Sequence, residues 1–87
     1  MTDDTNTIRC WLVSRSVDDR DLVTLVYATP DGTRMERTRT AATRLGLVTA
    51  AREVSPDDLE PVPGADRDRY RREAARVADS HDPDDGL

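Results

Sequence analysis

Polar and apolar residues alternate near the start of this chain. From Thr7 to Arg15, Ile8, Cys10 and Leu12 fall on one side of an extended backbone. Arg9, Trp11, Val13 and Arg15 fall on the other, which is the period of a strand. Ser14 to Asp21 is polar and charged and reads as a connecting loop. Leu22 to Thr29 (LVTLVYAT) is apolar on both faces, which suits a central strand.

The next residues, Thr29-Pro30-Asp31-Gly32-Thr33, carry turn chemistry. Proline presets φ, aspartate bonds its own backbone, and glycine accepts a left-handed conformation. The spacing predicts a three-residue hairpin with a glycine bulge. That register pairs Thr29 with Thr33, Tyr27 with Met35, Leu25 with Arg37 and Val23 with Arg39. Valine at Gly32 is expected to destabilise, and asparagine to cost less than valine because it visits the left-handed region more readily.

Thr33 to Thr40 is far more polar and reads as an edge strand blunted by arginine. Between 41 and 54 two readings stay open. Ala41–Leu47 can form helical turns stopped at Gly46, or Leu47–Val54 can form a short fourth strand. Ser55-Pro56-Asp57-Asp58 is a helix start, cut short by Pro61, Pro63 and Gly64. Asp66 to His81 is the best helix, with Asp66 as cap and an apolar stripe of Tyr70, Ala74, Val77 and Ala78. The predicted class is α+β: an antiparallel meander sheet of three to four strands, covered on one face by a C-terminal helix. The predicted organisation is a disordered N-terminus at 1–6, a single domain at 7–81 and an acidic tail at 82–87.

Composition adds an environment. All 13 basic residues are arginine, set against 18 carboxylates, for a net charge of −5. Arginine is weakly hydrated and grips carboxylates through a planar fork, unlike lysine. An acidic shell keeps a protein soluble. The pattern fits a halophile; codon bias in a GC-rich genome accounts for part of it. The charge is also uneven. Residues 34–54 hold five arginines against two glutamates, net +3, while residues 55–87 hold five arginines against ten acids, net −5.

Candidate chemistry is sparse. Cys10 is the single cysteine, so an internal disulfide is impossible, and it reads as a buried hydrophobe. The first residues lack signal-peptide order, and no apolar run approaches the ~20 residues of a membrane span. The expected location is cytoplasmic. His81 lies among Asp79, Asp82, Asp84 and Asp85, but the spacing matches no calcium loop. No catalytic residue, metal or cofactor is expected.

Arg34, Arg37 and Arg39, with Arg44, could meet phosphates, but only Trp11, Tyr27 and Tyr70 are aromatic. The favoured alternative has these arginines pairing with the chain's own carboxylates. Arg67, Arg69, Arg71 and Arg72 are interspersed with acids and read as a solvated helix face. Trp11 has two open readings: sheet core under the helix, or exposed anchor.

Several segments together resemble a group of small, uncharacterised haloarchaeal proteins. They are Trp11-Leu12-Val13 with Arg15, Asp21 to Gly32, Ser55 to Leu59, Glu73-Ala74-Ala75-Arg76, and His81 to Asp85. The resemblance covers most of the chain and implies no activity.

The functional expectation is a non-enzymatic interaction module that self-associates. Its candidate interface is Trp11, Val13, Arg34, Arg37 and Arg39. The expected partner is a second copy, with another protein as a further candidate and neither a membrane nor, as first choice, nucleic acid. The alternative is a nucleic-acid accessory protein using the arginine-rich edge strand.

Overall fold

The computed structural model describes residues 6–43 and 48–86. Five antiparallel strands form one sheet: β1 (Ile8–Val17), β2 (Leu22–Ala28), β3 (Arg34–Ala41), β4 (Ala51–Val54) and β5 (Glu60–Pro61). The spatial order is β4-β1-β2-β3-β5. Strands β1 to β3 form a meander, and the two short strands are added at its flanks. One helix, α1 (Gly64–Ser80), packs on the sheet. The class is therefore α+β, as the sequence predicts.

Both faces of the sheet are apolar. Trp11, Val26, Ala28, Met35 and Ala51 lie beneath α1, where Tyr70, Ala74 and Val77 meet them. Cys10, Leu12, Val23, Leu25, Tyr27 and Val54 form the other face, packed by Val48, Ile8, Ala42 and Leu59. Strand β2 is buried from Leu25 to Ala28 because it contributes to both layers.

The open stretch at 41–54 resolves as strand over Ala51–Val54; residues 44–47 lie outside the described residues, as do residues 1–5 of the expected disordered N-terminus. The first strand runs on to Val17, so the β1–β2 loop is short. Asp18 closes it, accepting from the Arg20 N–H at 2.8 Å and the Leu22 N–H at 3.0 Å. The helix starts two residues before Asp66, after Pro63, and makes no side-chain cap bond. Ala78, placed in the stripe by its spacing, is exposed.

The hairpin register is one residue off the predicted one. Ala28 faces Met35, Tyr27 faces Glu36 and Val23 faces Thr40. The loop holds four residues, Pro30 to Thr33, closed by the Thr29 N–H donating to the Arg34 carbonyl at 3.0 Å. Side chains fix this longer loop. The Thr29 hydroxyl donates to Asp31 Oδ1 at 2.6 Å, and the Thr33 N–H and hydroxyl reach the same oxygen at 3.0 and 2.8 Å. The slip matters because strand faces alternate. Met35 joins the helix side while Tyr27 joins the other. Gly32 has φ +75°, as its turn position requires. It also lies against the α1 backbone: an added Cβ would collide with the Arg67 carbonyl and sit 2.8 Å from Arg71 N. Valine and asparagine would both clash there, so asparagine's ease in the left-handed region relieves only part of its cost.

Strand β1 contains a bulge at Val13, between Leu12 and Ser14. Backbone bonds reveal the phase change. The Leu12 N–H donates to Ala50 on the β4 side, whereas the Asp18 N–H donates to Leu22 on the β2 side. Residues 12 and 18 would point the same way in a regular strand. The extra residue reverses that, and Val13 and Ser14 both lie opposite Val26 on the helix side.

Candidate interaction surface

The sheet is finished at one end and unfinished at the other. Strand β4 pairs with Ile8–Trp11, and β5 pairs with Arg34–Met35. Past those points, Val13–Val17 of β1 and Arg37–Ala41 of β3 have no outer strand partner among the described residues. The helix buries the Trp11 end only. Burial falls accordingly, from 9 % exposure at Trp11 to 62 % at Val17.

The free edge of β1 presents its main chain. Counting back from Asp18, whose N–H points to β2, the N–H groups of Ser16 and Ser14 also point inward. Arg15 and Val17 therefore turn their N–H and C=O groups outward. Beside this edge lies a cleft of about 290 Å³, lined by Leu12, Val13, Ser14 and Arg15 on β1 and by Glu73, Arg76, Val77 and His81 on α1 and its end. Arg76 grips Glu73 through Nε at 3.1 Å and through Nη2. That pair holds the Glu73 carboxyl below its usual range. A guanidinium has five N–H donors, so three remain on Arg76. His81 caps α1, its N–H donating to Val77 at 2.9 Å. Its Nδ1 is buried and has no hydrogen-bond partner among the described residues.

The acidic tail that follows α1 is held by the backbone at Pro83 and Asp85. Ala51 N–H donates to Pro83 at 3.1 Å and Ala50 N–H to Asp85 at 2.8 Å. These bonds are what carry the chain past His81 and fix that ring at the cleft, a placement no residue spacing announces.

The residues expected at an interface do not gather. Trp11 is core, packed on Ala50, Ala51, Ala74 and Val77, so of the two readings left open the structure takes the buried one. Val13 is half-buried beneath α1. Arg37 and Arg39 share the helix side of the sheet with Met35, but Arg34 points to the opposite side. Among the described residues these three arginines make no ion pair with the chain's own acids. Ion pairs among the described residues join Arg9 to Glu53 at 3.0 Å, Arg52 to Glu36 at 3.3 Å, Arg69 to Asp66 at 3.1 Å, Arg71 and Arg72 to Asp68, and Arg76 to Glu73. The unfinished strand residues 13–17, 22–26 and 37–41 carry three arginines, Arg15, Arg37 and Arg39, and no carboxylate.

A family of unknown function, DUF7967, matches residues 4–87. The chain belongs to this family. No curated protein and no solved structure matches it.

A second hollow, of about 380 Å³, lies on the face away from α1, among Leu25, Tyr27, Thr38, Thr40, Thr49 and Arg52. The Tyr27 hydroxyl is already used there, donating to the Thr49 carbonyl at 2.7 Å, and burial raises its pKa. Cys10 is fully buried, and burial pushes its thiol up to about 11, the opposite of an activated nucleophile. No group of three or more metal-ligating side chains is found among the described residues. No helix of the described residues is long and apolar enough to cross a membrane.

Proposed function

We propose that this chain is a non-enzymatic interaction module that self-associates by adding a second copy's β1 to its own free edge. The observation that carries this reading is the unpaired stretch Val13–Val17, with two outward main-chain positions and the one large hydrophobic side chain that is exposed among the described residues. Unpaired edges are templates for another strand.

Antiparallel pairing across a two-fold axis needs outward residues opposite each other. Centring on Ser16 sets Arg15 against the partner's Val17 on both sides and gives four main-chain bonds. Centring on Arg15 would set like charges face to face, which is destabilising. A five-residue strand pair falls below the ~1,000 Å² of a stable interface, so the dimer is weak, with a dissociation constant on the order of 100 µM. The same reading keeps the chain in the cytoplasm of a salt-adapted cell, on the strength of its 18 carboxylates against 13 arginines. Nucleic acid is a poorer fit, because Trp11, Tyr27 and Tyr70 are all buried and leave no ring to stack on a base.

Sedimentation from about 10 µM to 1 mM tests the proposal. The 9.7 kDa chain should shift towards twice its mass over that range. Val17→Pro removes one outward donor while leaving the β2 ladder intact, since proline is accepted where a strand N–H faces solvent. It should keep the chain monomeric. A wild-type chain that stays at 9.7 kDa throughout overturns the proposal.

A further inference from the structure

We infer that the cleft beside the β1 edge is a carboxylate-binding site completed across the dimer, and that its ligand is Asp18 of the partner subunit. The inference rests on the self-association reading above. Pairing centred on Ser16 places the partner's Asp18 directly opposite Ser14. Directly opposed residues of paired strands share a face. Ser14 lies opposite Val26, whose side chain packs on the helix side, so the incoming carboxylate arrives on the side of the cleft.

The chemistry of the two halves matches. On one side stand Arg76, with three donors to spare, Arg15 at the rim, and His81, whose buried ring nitrogen has no partner among the described residues. Glu73 balances the charge of Arg76, and Arg15, opposite Leu25 on the face away from α1, brings its main chain to the cleft, so what the cleft offers a carboxylate is the spare Arg76 donors. On the other side, Asp18 spends Oδ1 on the Arg20 and Leu22 N–H groups of its own loop. Its Oδ2 makes no bond among the described residues and can accept from Arg76. Apolar Val13 and Val77 on the cleft walls keep water from screening the pair fully. A lysine at position 18 in the partner would offer Arg76 no acceptor, so the arrangement also selects a copy of this chain over a basic strand.

The test is a double-mutant cycle on the dissociation constant of the full-length chain, measured by sedimentation in about 0.1 M salt, where the Debye length is about 10 Å. Asp18→Asn keeps the Oδ1 acceptor that its own loop needs and removes the charge. Arg76→Gln changes an exposed residue of α1. Each variant contains two equivalent lesions per dimer, and each should weaken association about tenfold. The double variant should be no weaker than either single one. Amide exchange of Leu22 and Arg20 checks that the loop is intact. If Val17→Pro abolishes the dimer but Asp18→Asn leaves its affinity unchanged, the edge stands and the carboxylate site falls. Losses that simply multiply in the double variant also sink it, because the two residues then act apart. A wild-type monomer at every concentration overturns both the edge and the site.

Discussion

At the Trp11 end of the sheet, β1, β2 and β3 each have a strand on both sides and a helix above. At the Val17 end β1 and β3 lose their outer neighbours among the described residues while β2 keeps both, and α1 does not reach them. The sequence changes in step. Cys10, Trp11 and Leu12 are followed by Ser14, Arg15 and Ser16; Met35 is followed by Arg37 and Arg39. Apolar side chains were spent where cover exists, and donors were placed where it does not. The difference teaches that one small sheet can divide its labour lengthwise. Half of β1 and half of β3 hold the fold and the other half is left for contact, while β2 is core at both ends, with Val23 and Leu25 buried.

The sharpest way to break this division is to exchange its extremes. Trp11→Ala removes a side chain walled by Ala50, Ala51, Ala74 and Val77 and should cost about 3–5 kcal/mol in urea titrations. A loss below about 1 kcal/mol would place Trp11 outside the core. Gly32→Ala should cost about 2 kcal/mol or more, since the new Cβ meets the α1 backbone at a left-handed residue. Gly32→Asn should be nearly as harmful, which a turn without a docked helix would not predict.

Three further measurements sharpen the comparison with little change in packing. Asp31 has its pKa lowered to about 2, first by the Thr29 hydroxyl and then by the Thr33 N–H and hydroxyl. A carboxyl depressed in the folded state stabilises it fully above its unfolded value. That contribution fades as pH falls through 3.8 towards 2. Asp31→Asn should flatten the stability profile across that window, while Val17→Ala should leave the profile unaltered. Native Cys10 should resist alkylation until the protein unfolds, because its thiol is buried and its thiolate disfavoured. The smallest effect belongs to Val17→Ala, within about 0.5 kcal/mol. Its amide and that of Arg15 should exchange with solvent far sooner than those of Cys10 and Val23.

Much of this architecture was legible. The doubly apolar β2, the turn residues up to Gly32 and the Tyr70–Ala74–Val77 stripe each have one simple physical solution. The register was not, because three hydrogen bonds to one Asp31 oxygen lengthen the loop, and pairing slips by one. Strand β5 holds two residues, one of them Pro61, too few for any period. The helix start was hidden because Pro63 and Gly64 resemble a breaker, although proline just before a first turn is also a beginning. Trp11 resisted a decision because Arg9 and Arg15 flank it; Arg9 reaches sideways to Glu53 and leaves the indole under α1. The cleft was invisible because it joins β1 to His81 across the whole chain, and only the docked final segment brings them together.

The bulge at Val13 works as a phase shifter for the strand that carries it. Upstream, odd-numbered side chains of β1 face α1; downstream, even-numbered ones do. Running β1 through that point as a regular strand, with no residue removed, would set Val13 against Val26 and Ser14 against Leu25, turn Ser14 and Ser16 away from α1 and bring the guanidinium of Arg15 beneath it. It would also swing the outward amides onto other residues, so the edge would present a different face to any incoming strand. Smoothing the bulge is therefore an inversion of the unfinished half, whereas deleting Val13 would leave Ser14 opposite Val26 and every later residue on its present face.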